Sequence, residues 1–482
     1  MNKMNAKKVI LVISVIIVTV FPCKSQNKNQ KSIEPLAPRP PMGWNSFDSY
    51  GVYLSDKAAM ANLEEFAKKL KPYGYEYFVI DAGWFGEFKL QEGTNFPVEK
   101  HASKVKFNEF GLLQPSDTYF PKGMQHIINR CHELDLKFGL HLMRGIPRAA
   151  VKANTPIQGT KYFAKDIADT INICTWNHQN YGVDMTKPGA QEFYNSLMNQ
   201  MAEWGVDFIK YDDIVPFPEE VKGVANAIAQ CGRPMVLSLS PGGNVDPNHL
   251  AAFQKGHLLR VTPDIWDDQK GIDECFYEWH KWNGKSKPGF WIDMDMIPFG
   301  QLQLMTQKPA GVKGNESKKE LVDKMKSGEI ANFELLAGKG FNRWSEFTRD
   351  QMYTFITLRA LSVSPLMMGG DLPSLDDFSL SLITNKDMLE CNQNGIMGKL
   401  VFDKDSIEGW NTKQMNTNNG WIGIFNRTTR PVSFVIETEK LGISSSVKYV
   451  LTDIWMKKNL SPGDKEVVEP NGAIFIKYAV IE

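Results

Sequence analysis

Short apolar runs alternate with longer amphipathic runs from about residue 40 to residue 370. The apolar runs are rich in aromatic and β-branched residues, which is typical of strands buried on both faces. The amphipathic runs predict helices, and Ser55 is a plausible N-cap for the first of them, over 55–71. The eight strand candidates are 42–47, 75–84, 137–143, 205–213, 235–240, 258–264, 290–297 and 362–369.

This alternation predicts a parallel sheet, and eight repeats of it predict a (β/α)₈ TIM barrel. A doubly wound open sheet is the competing α/β fold, but no glycine-rich phosphate loop follows the first strand. A barrel places its active site at the carboxyl ends of its strands. The polar or aromatic residues at those ends are Trp44, Asp81, His141, Asp212, Ser240, Asp264, Asp293 and Asp295.

The pattern changes after about residue 398. Short alternating runs are separated there by Asn, Gly and Pro, which predicts antiparallel strands and a C-terminal β-sandwich domain. These runs are 400–402, 420–425, 432–436, 448–453, 466–468 and 473–480. The predicted domains are therefore a catalytic barrel over 38–397 and a β-sandwich over 398–482.

The N-terminus predicts a secretory signal peptide over residues 1–25, followed by a short polar tail over 26–37. Three lysines precede an apolar run over 9–21 that is too short to span a bilayer comfortably. Cleavage is expected near Ser25, and lipidation at Cys23 is the alternative, although Pro22 is unfavourable before a lipid-modified Cys. We expect export to the periplasm or the extracellular space, with no integral membrane segment once the signal is removed.

Charge and cysteine content exclude several classes of protein. Lys plus Arg equals Asp plus Glu at 55 each, so no basic excess attracts nucleic acid. Hydrophobic residues are 42% and aromatic residues 11%, which suits a large core and also a sugar-binding cleft. The six Cys show neither metal-binding spacing nor paired motifs, so we expect no zinc site and no disulfide framework.

The candidate chemistry begins with Lys210 and Asp212, which a period of two places on one face of a strand. A neighbouring cation keeps a carboxylate ionised, as a nucleophile requires, although Lys-x-Asp also occurs as a surface pair. Asp264 is a second carboxylate at a strand end, and two such groups suggest glycoside hydrolysis. With less charge compensation, Asp264 could hold the proton for the leaving oxygen. Buried structural aspartates are the alternative interpretation.

Six stretches in the same order resemble the barrel motifs of glycoside hydrolase family 27, the α-galactosidase and α-N-acetylgalactosaminidase family. They are 41–46 (PMGWNS), 74–81 (GYEYFVID), 204–212 (WGVDFIKYD), 260–264 (RVTPD), 291–296 (WIDMDM) and 360–366 (ALSVSPL). The resemblance spans about residues 38–395, and it implies a barrel followed by a β-sandwich and a retaining mechanism without metal or organic cofactor.

The resemblance also implies individual roles. Asp212 would be the nucleophile and Asp264 the acid/base. The implied substrate-binding residues are Trp44 against the apolar face of the sugar, Asp81 and Lys210 at its hydroxyls, and Arg260 near its 2-position. A Trp44 in the core and an Arg260 that only forms a salt bridge are the alternatives.

Four positions depart from the family pattern. Ala82 replaces the second of two adjacent aspartates, which grips the 4- and 6-hydroxyl region of galactose. Galactosidase members carry Cys-Glu where this chain has Leu239 and Ser240. The loss of that Glu resembles the N-acetylgalactosaminidase branch, although Ser240 could also serve a different sugar. His141 stands where Tyr is common, and it is either a structural residue or a substrate ligand. Ile214 replaces a Cys after the nucleophile motif.

The sequence thus predicts an exported retaining exo-glycosidase that hydrolyses terminal α-galactoside-like residues of an oligosaccharide or polysaccharide. Within the family, α-N-acetylgalactosaminides, β-L-arabinopyranosides and α-glucosides are alternative substrates. A catalytically idle carbohydrate-binding protein is the alternative from another class. The polar stretch 306–330 could be a cleft lid, a partner contact or a plain insertion.

Overall fold

The computed structural model of the chain describes residues 35–241 and 245–481. Its barrel strands are β1 Met42–Asn45, β2 Tyr77–Ile80, β3 Lys137–Met143, β4 Phe208–Asp212, β5 Val236–Leu239, β6 Leu258–Arg260, β7 Trp291–Asp293 and β8 Leu366–Met368. They form one parallel sheet in the order β7-β6-β5-β4-β3-β2-β1-β8. The predicted barrel strands are therefore confirmed, each within the bounds that the apolar pattern gives.

The segment after β7 closes the ring. Ile297 pairs in parallel with Met368, donating its backbone N–H to the carbonyl of Met367 at 2.8 Å and accepting from Gly369 at 3.0 Å. The helices that follow the strands are α1 Asp56–Lys69, α2 Gln125–Glu133, α3 Ala190–Trp204, α4 Pro218–Gln230, α5 Leu250–Phe253, α6 Gln269–Trp282, α7 Arg349–Leu361, α8 Asp377–Ile383 and α9 Lys386–Gln393. Ser55 caps α1 as predicted, because its side chain accepts from the Ala58 N–H.

Two of the long excursions on the carboxyl side of the barrel carry helices of their own. Between β3 and α3, the segment 146–183 forms the short helices Arg148–Ala153 and Ala164–Ile167 and a small three-stranded sheet. Between β7 and α7, the polar stretch predicted over 306–330 holds a helix, Lys318–Ser327, capped reciprocally by Ser317 and Glu320. That helix contributes Leu321 to a small separate core with Val312, Ile330 and Phe341.

The C-terminal region contains a six-stranded and a two-stranded antiparallel sheet. Its strands are β9 Lys399–Lys404, β10 Ile407–Lys413, β11 Gly420–Asn426, β12 Val432–Val435, β13 Tyr449–Asp453, β14 Lys458–Leu460, β15 Lys465–Val468 and β16 Ala473–Val480. The larger sheet has the order β9-β10-β11-β16-β13-β14, and β12 pairs with β15. Successive side chains of a strand face opposite sides. On β11, Trp421 and Phe425 pack with the barrel core, while Ile422 and Ile424 face the second sheet.

The strand β10 is absent from the sequence-predicted runs because Gly409 and polar residues interrupt its apolar pattern. The structure shows why Gly is required there. A Cβ on Gly409 would lie 2.0 Å from the Phe402 ring, so this aromatic side chain of β9 covers the glycine of its neighbour.

Some predictions about the two ends of the chain stay predictions. The signal peptide 1–25 and most of the tail 26–37 lie outside the described residues. Residues 35–482 form one compact unit, so the domain boundary at 398 also stays a prediction. Within the described part of the chain, no helix has the length and apolar character needed to cross a membrane.

Candidate active site

The carboxyl ends of the barrel strands surround a cavity of about 690 Å³. This is the edge at which a (β/α)₈ barrel carries its active site. Six of the eight sequence-predicted site residues line the cavity. They are Asp81, His141, Lys210, Asp212, Arg260 and Asp264.

Asp212, the last residue of β4, is held by His141 on the neighbouring strand β3. The two atoms His141 Nε2 and Asp212 Oδ2 are 2.9 Å apart, and because the carboxylate can only accept, Nε2 carries the proton. Burial alone would raise the pKa of Asp212. The positive charge of Lys210, the hydrogen bond from His141 and the charge of Arg260 outweigh burial and hold this pKa far below its usual value. Asp212 is therefore an ionised carboxylate, although its side chain is only 14% exposed.

Lys210 pairs directly with Asp81 rather than with Asp212. Its Nζ lies 2.8 Å from Asp81 Oδ2, which also accepts from Asn45 Nδ2 at 2.8 Å. The Asp81 backbone N–H donates to Ser46 Oγ at 2.9 Å. Although burial opposes ionisation, the charge of Lys210 lowers the pKa of Asp81, and Asp81 in turn helps to raise that of Lys210. The predicted link between Lys210 and Asp212 thus acts through charge, not through a direct contact.

Arg260 joins two carboxylates on the other side of the cavity. Its Nη2 lies 2.9 Å from Asp264 Oδ1, and its Nη1 lies 3.0 Å from Asp295 Oδ1. The second oxygen of Asp295 accepts from the Ile265 N–H at 2.8 Å, which fixes the chain directly after Asp264. The sequence predicts less charge compensation at Asp264 than at Asp212, but Asp264 forms a direct ion pair with Arg260. Asp264 nevertheless stands at the mouth, because 60% of its side chain is exposed.

The wall beside Asp81 combines apolar residues with Lys100 and His101, which directly precede Ala102. Ala82 and Gly83 follow β2 and line the cavity together with Val52, Phe88 and Ala102. Gly83 has φ +94°, and a Cβ there would lie 2.0 Å from the carbonyl oxygen of Val52. The backbone after β2 therefore packs tightly on this wall. Ala82 cannot donate or accept with its side chain, so the wall offers no carboxylate next to Asp81.

Comparisons with known proteins agree with this geometry. A family model described as the glycosyl hydrolases family 31 TIM-barrel domain matches residues 34–230. A crystal structure of a wild-type family 27 β-L-arabinopyranosidase from Geobacillus stearothermophilus is 35% identical, with a TM-score of 0.79. The match covers 92% of this chain and 97% of that chain. The chain belongs to glycoside hydrolase family 27.

Two other relatives of this family 27 chain have names that refer to related sugars. Alpha-galactosidase A of Cellvibrio japonicus is 25% identical over 394 residues, which cover 80% of this chain and 75% of the relative. An α-N-acetylgalactosaminidase candidate from Bacillus halodurans is 32% identical with a TM-score of 0.74, covering 92% of this chain and 98% of that structure. The chain is therefore a glycosidase, as its two separated carboxylates and the motif resemblance predicted.

Two predicted sugar contacts of this glycosidase do not line the cavity. Trp44 is fully buried, stacks on Phe78 with 4.8 Å between ring centroids, and donates from Nε1 to the Gly370 carbonyl at 2.8 Å. It is a core residue that joins β1 to the end of β8, which corrects its predicted role as a sugar platform. Ser240 is also buried, and its hydroxyl has no hydrogen-bond partner among the described residues.

Asp48 is a cavity residue of the family 27 glycosidase that was not among the sequence-predicted site residues. Asp48 belongs to the short helix Phe47–Tyr50 directly after β1, and it lines the cavity with only 1% of its surface exposed. Burial and the nearby Asp295 raise its pKa well above the usual value. The sequence-predicted residues all lie within the strand candidates, whereas Asp48 lies beyond the candidate 42–47 and reaches the cavity from the helix that follows β1.

Proposed function

We propose that this chain is a retaining exo-glycosidase in which Asp212 is the nucleophile and Asp264 the general acid/base. The observation that carries the proposal is the contrast between these two carboxyl groups of one cavity. Asp212 is only 14% exposed at its side chain and is kept ionised by Lys210, His141 and Arg260, as a nucleophile at an anomeric carbon requires. Asp264 is exposed at the mouth, where a leaving group departs and water arrives.

The reaction proceeds in two balanced steps. An oxygen of Asp212 forms a bond to the anomeric carbon as the glycosidic bond breaks, and the departing oxygen takes the proton of Asp264. The resulting Asp264 carboxylate then removes a proton from water, whose oxygen attacks the anomeric carbon and releases Asp212. Both substitutions invert the anomeric centre, so the product has the configuration of the substrate.

For the sugar, the proposal is a galactose-configured pyranose with β-L-arabinopyranose preferred over α-D-galactose. The two glycosides share their ring stereochemistry, but arabinopyranose has no hydroxymethyl group on the ring. Ala82 and its apolar neighbours supply no carboxylate for such a group, which supports the smaller sugar. The named activity of the 35% identical Geobacillus relative supports the same sugar.

Hydrolysis of four nitrophenyl glycosides tests the sugar. They are the β-L-arabinopyranoside, the α-D-galactopyranoside, the α-N-acetylgalactosaminide and the α-D-glucopyranoside. We expect the highest kcat/KM for the arabinopyranoside, and Ala82→Asp should shift the ratio toward the galactoside. Preference for the acetamido sugar would favour the N-acetylgalactosaminidase branch that Ser240 resembles, and it would contradict the arabinopyranose proposal.

Chemical rescue tests the two catalytic roles. With azide, Asp212→Ala should yield a glycosyl azide of inverted configuration, because azide enters from the face that the carboxylate vacates. Asp264→Ala should yield an azide of retained configuration, because azide then intercepts the glycosyl-enzyme on Asp212. Inverted product from both variants would contradict a retaining mechanism.

We also propose export of the protein, on the N-terminal pattern alone. Fractionation of the native host and N-terminal sequencing of the mature chain test it. A mature chain that begins near residue 26 is the expected result. An acylated Cys23 would instead indicate lipid anchoring, and an intact Met1 would contradict export.

A further inference from the structure

An exposed tryptophan stands at the mouth of the catalytic cavity, where the mechanism makes no use of it. Trp176 lines the cavity, yet 47% of its surface is open to solvent. Trp is enriched at binding interfaces because its ring supplies a large apolar area and its N–H can form a hydrogen bond. Flat aromatic faces suit the C–H-rich faces of sugar rings, since their quadrupole attracts positively polarised hydrogens.

The loop that carries Trp176 is fixed to the barrel at both ends. Before it, the carbonyl of Asn172 accepts from Arg144 Nη2 at 2.8 Å. After it, Asn180 Nδ2 donates to the carbonyls of Met143 and Arg144 at 3.2 and 3.0 Å. Met143 ends β3, so the position of Trp176 is tied to the same strand that carries His141. The ring is therefore presented by a supported loop.

The neighbours of Trp176 add hydrogen-bonding groups. Asn177 and Gln179 also line the cavity, and the Gln179 N–H donates to Asn177 Oδ1 at 2.9 Å. An aromatic face next to side-chain amides is a suitable surface for a polyhydroxylated ring. Because the cleaved sugar occupies the floor at Asp212 and the leaving group departs past Asp264, the aglycone lies at this mouth.

We propose that Trp176, Asn177 and Gln179 bind the first sugar ring of the leaving group. The natural substrate is then an oligosaccharide or polysaccharide with a pyranose next to the scissile bond, rather than a glycoside of a small alcohol. This inference rests on the proposed exo-glycosidase function.

The test compares a disaccharide with a glycosyl fluoride that carries the same cleaved sugar. Trp176→Ala should lower the kcat/KM for the disaccharide, relative to that for the fluoride, about 3- to 10-fold. Trp176→Phe should lower this ratio less. Trp344, which has a similar exposure of 51% and does not line this cavity, provides the matched control, and Trp344→Ala should leave the ratio unchanged. Equal losses on both substrates, or no loss, would overturn the inference.

A binding measurement separates this inference from the proposed function. Wild-type protein that does not hydrolyse the glycosyl fluoride would contradict the function itself. Calorimetric measurement of the affinities for the disaccharide and for its terminal monosaccharide then tests the aglycone site. The disaccharide should bind more tightly, and Trp176→Ala should remove that advantage. An advantage that survives in Trp176→Ala would overturn the aglycone site.

Asp48 supports a second inference on independent grounds. Its Oδ2 is buried and has no hydrogen-bond partner among the described residues. This oxygen packs against Gly369, where a Cβ would lie 2.0 Å away. A buried polar group without a partner costs stability, so its presence in a cavity calls for a function.

The charges around Asp48 decide its protonation. Asp295, Asp264 and Asp267 face it with negative charge from the segments after β7 and β6, and only Lys210 on β4 opposes them. Burial and the three carboxylates raise the pKa of Asp48, which favours its protonated form. A protonated carboxyl group can donate one hydrogen bond and accept another.

The geometry points to Asp48 as a neutral hydrogen-bonding residue for a hydroxyl group of the sugar bound at the cavity floor. This role also rests on the proposed function, and it concerns substrate binding rather than the catalytic carboxylates. It predicts that Asp48→Ala raises KM and lowers kcat/KM by about 3- to 10-fold, while Asp48→Asn loses less because its amide can still donate.

Stability gives a readout that needs no turnover. Asp371 provides the matched control, since this buried carboxylate is satisfied by Tyr50, Asn62 and Ser374 and does not line the cavity. Asp371→Asn should lower the melting temperature by roughly 2 °C or more, whereas Asp48→Asn should maintain or raise it. A loss with Asp48→Asn as large as that with Asp371→Asn would show a structural role and overturn the inference. Unchanged kinetics of Asp48→Ala in an active enzyme would also overturn it.

Discussion

His141 Nε2 donates to Asp212 Oδ2 at 2.9 Å, across the parallel pairing of β3 and β4. His141 stands opposite Lys210 in that register, so one layer of the barrel supplies both the hydrogen bond and the positive charge that act on Asp212. This contact leads us to expect that His141 positions Asp212. His141 also lines the cavity, so the choice between a structural residue and a substrate ligand stays a prediction.

Removing this hydrogen bond should impair catalysis more than binding. Hydrogen bonds to charged groups contribute about 1.5–3 kcal/mol, so His141→Ala should lower kcat by about 10- to 100-fold. His141→Gln can still donate and should recover part of the loss. Steady-state kinetics on the best aryl glycoside measure both. A change in KM alone would indicate a substrate contact instead.

The buried pair of Lys210 and Asp81 should matter for stability as well as for binding. Lys210→Met leaves the Asp81 carboxylate buried with only Asn45 as its side-chain donor, which we expect to cost about 3–5 kcal/mol in the free energy of unfolding. Urea unfolding measures this cost.

A surface pair provides the control for that measurement. Lys222 and Glu219 are 2.6 Å apart on α4 but exposed, so Lys222→Ala should change the free energy of unfolding by less than about 1 kcal/mol. The double variant Lys210→Met with Asp81→Asn should recover part of the loss. Equal effects of Lys210→Met and Lys222→Ala would contradict the importance of burial.

The barrel could be predicted because its strands are buried on both faces and therefore read as apolar runs of strand length. Their carboxyl ends then located Asp81, His141, Asp212 and Asp264 without any knowledge of the partners. The excursion 146–183 could not be predicted in the same way, since strands as short as Ile146–Pro147 have no measurable periodicity.

Partners in the site could not be predicted because they come from distant parts of the chain. Lys210 and Asp81 are 129 residues apart in sequence, and only the closed barrel brings them together. Arg260 and Asp264 are close in sequence, but their contact depends on the turn that Asp295 fixes through the Ile265 N–H. Trp44 ends a strand like the other site residues, yet its ring packs into the core.

Asp293 should make the stability of the fold depend on pH. Burial and the nearby Asp295 raise the pKa of Asp293 to about 6. Because the folded value lies above the unfolded one, the folded state binds the proton more tightly. The resulting stabilisation is complete below about pH 4 and is lost as the pH rises through about 6.

Asp293→Asn should remove this dependence. The difference in the free energy of unfolding between wild type and variant should change by about 2–3 kcal/mol from pH 4 to pH 7, in the direction that favours the variant at pH 7. Chemical denaturation at several pH values measures it. Parallel stability curves for the two proteins would show that Asp293 has the same affinity for protons in both states.

Trp279 of α6 and Trp410 of β10 stack with 3.8 Å between their ring centroids, which joins the barrel to the C-terminal sheet. Both rings are buried, so Trp410→Ala should cost about 3–5 kcal/mol through the cavity that it leaves. Because both regions share this core, they should unfold together in a single calorimetric transition, shifted to lower temperature in the variant. Trp344→Ala, at an exposed ring, should leave the transition in place. Two separate transitions, with the barrel transition unmoved by Trp410→Ala, would show that the sheet is energetically independent of the barrel.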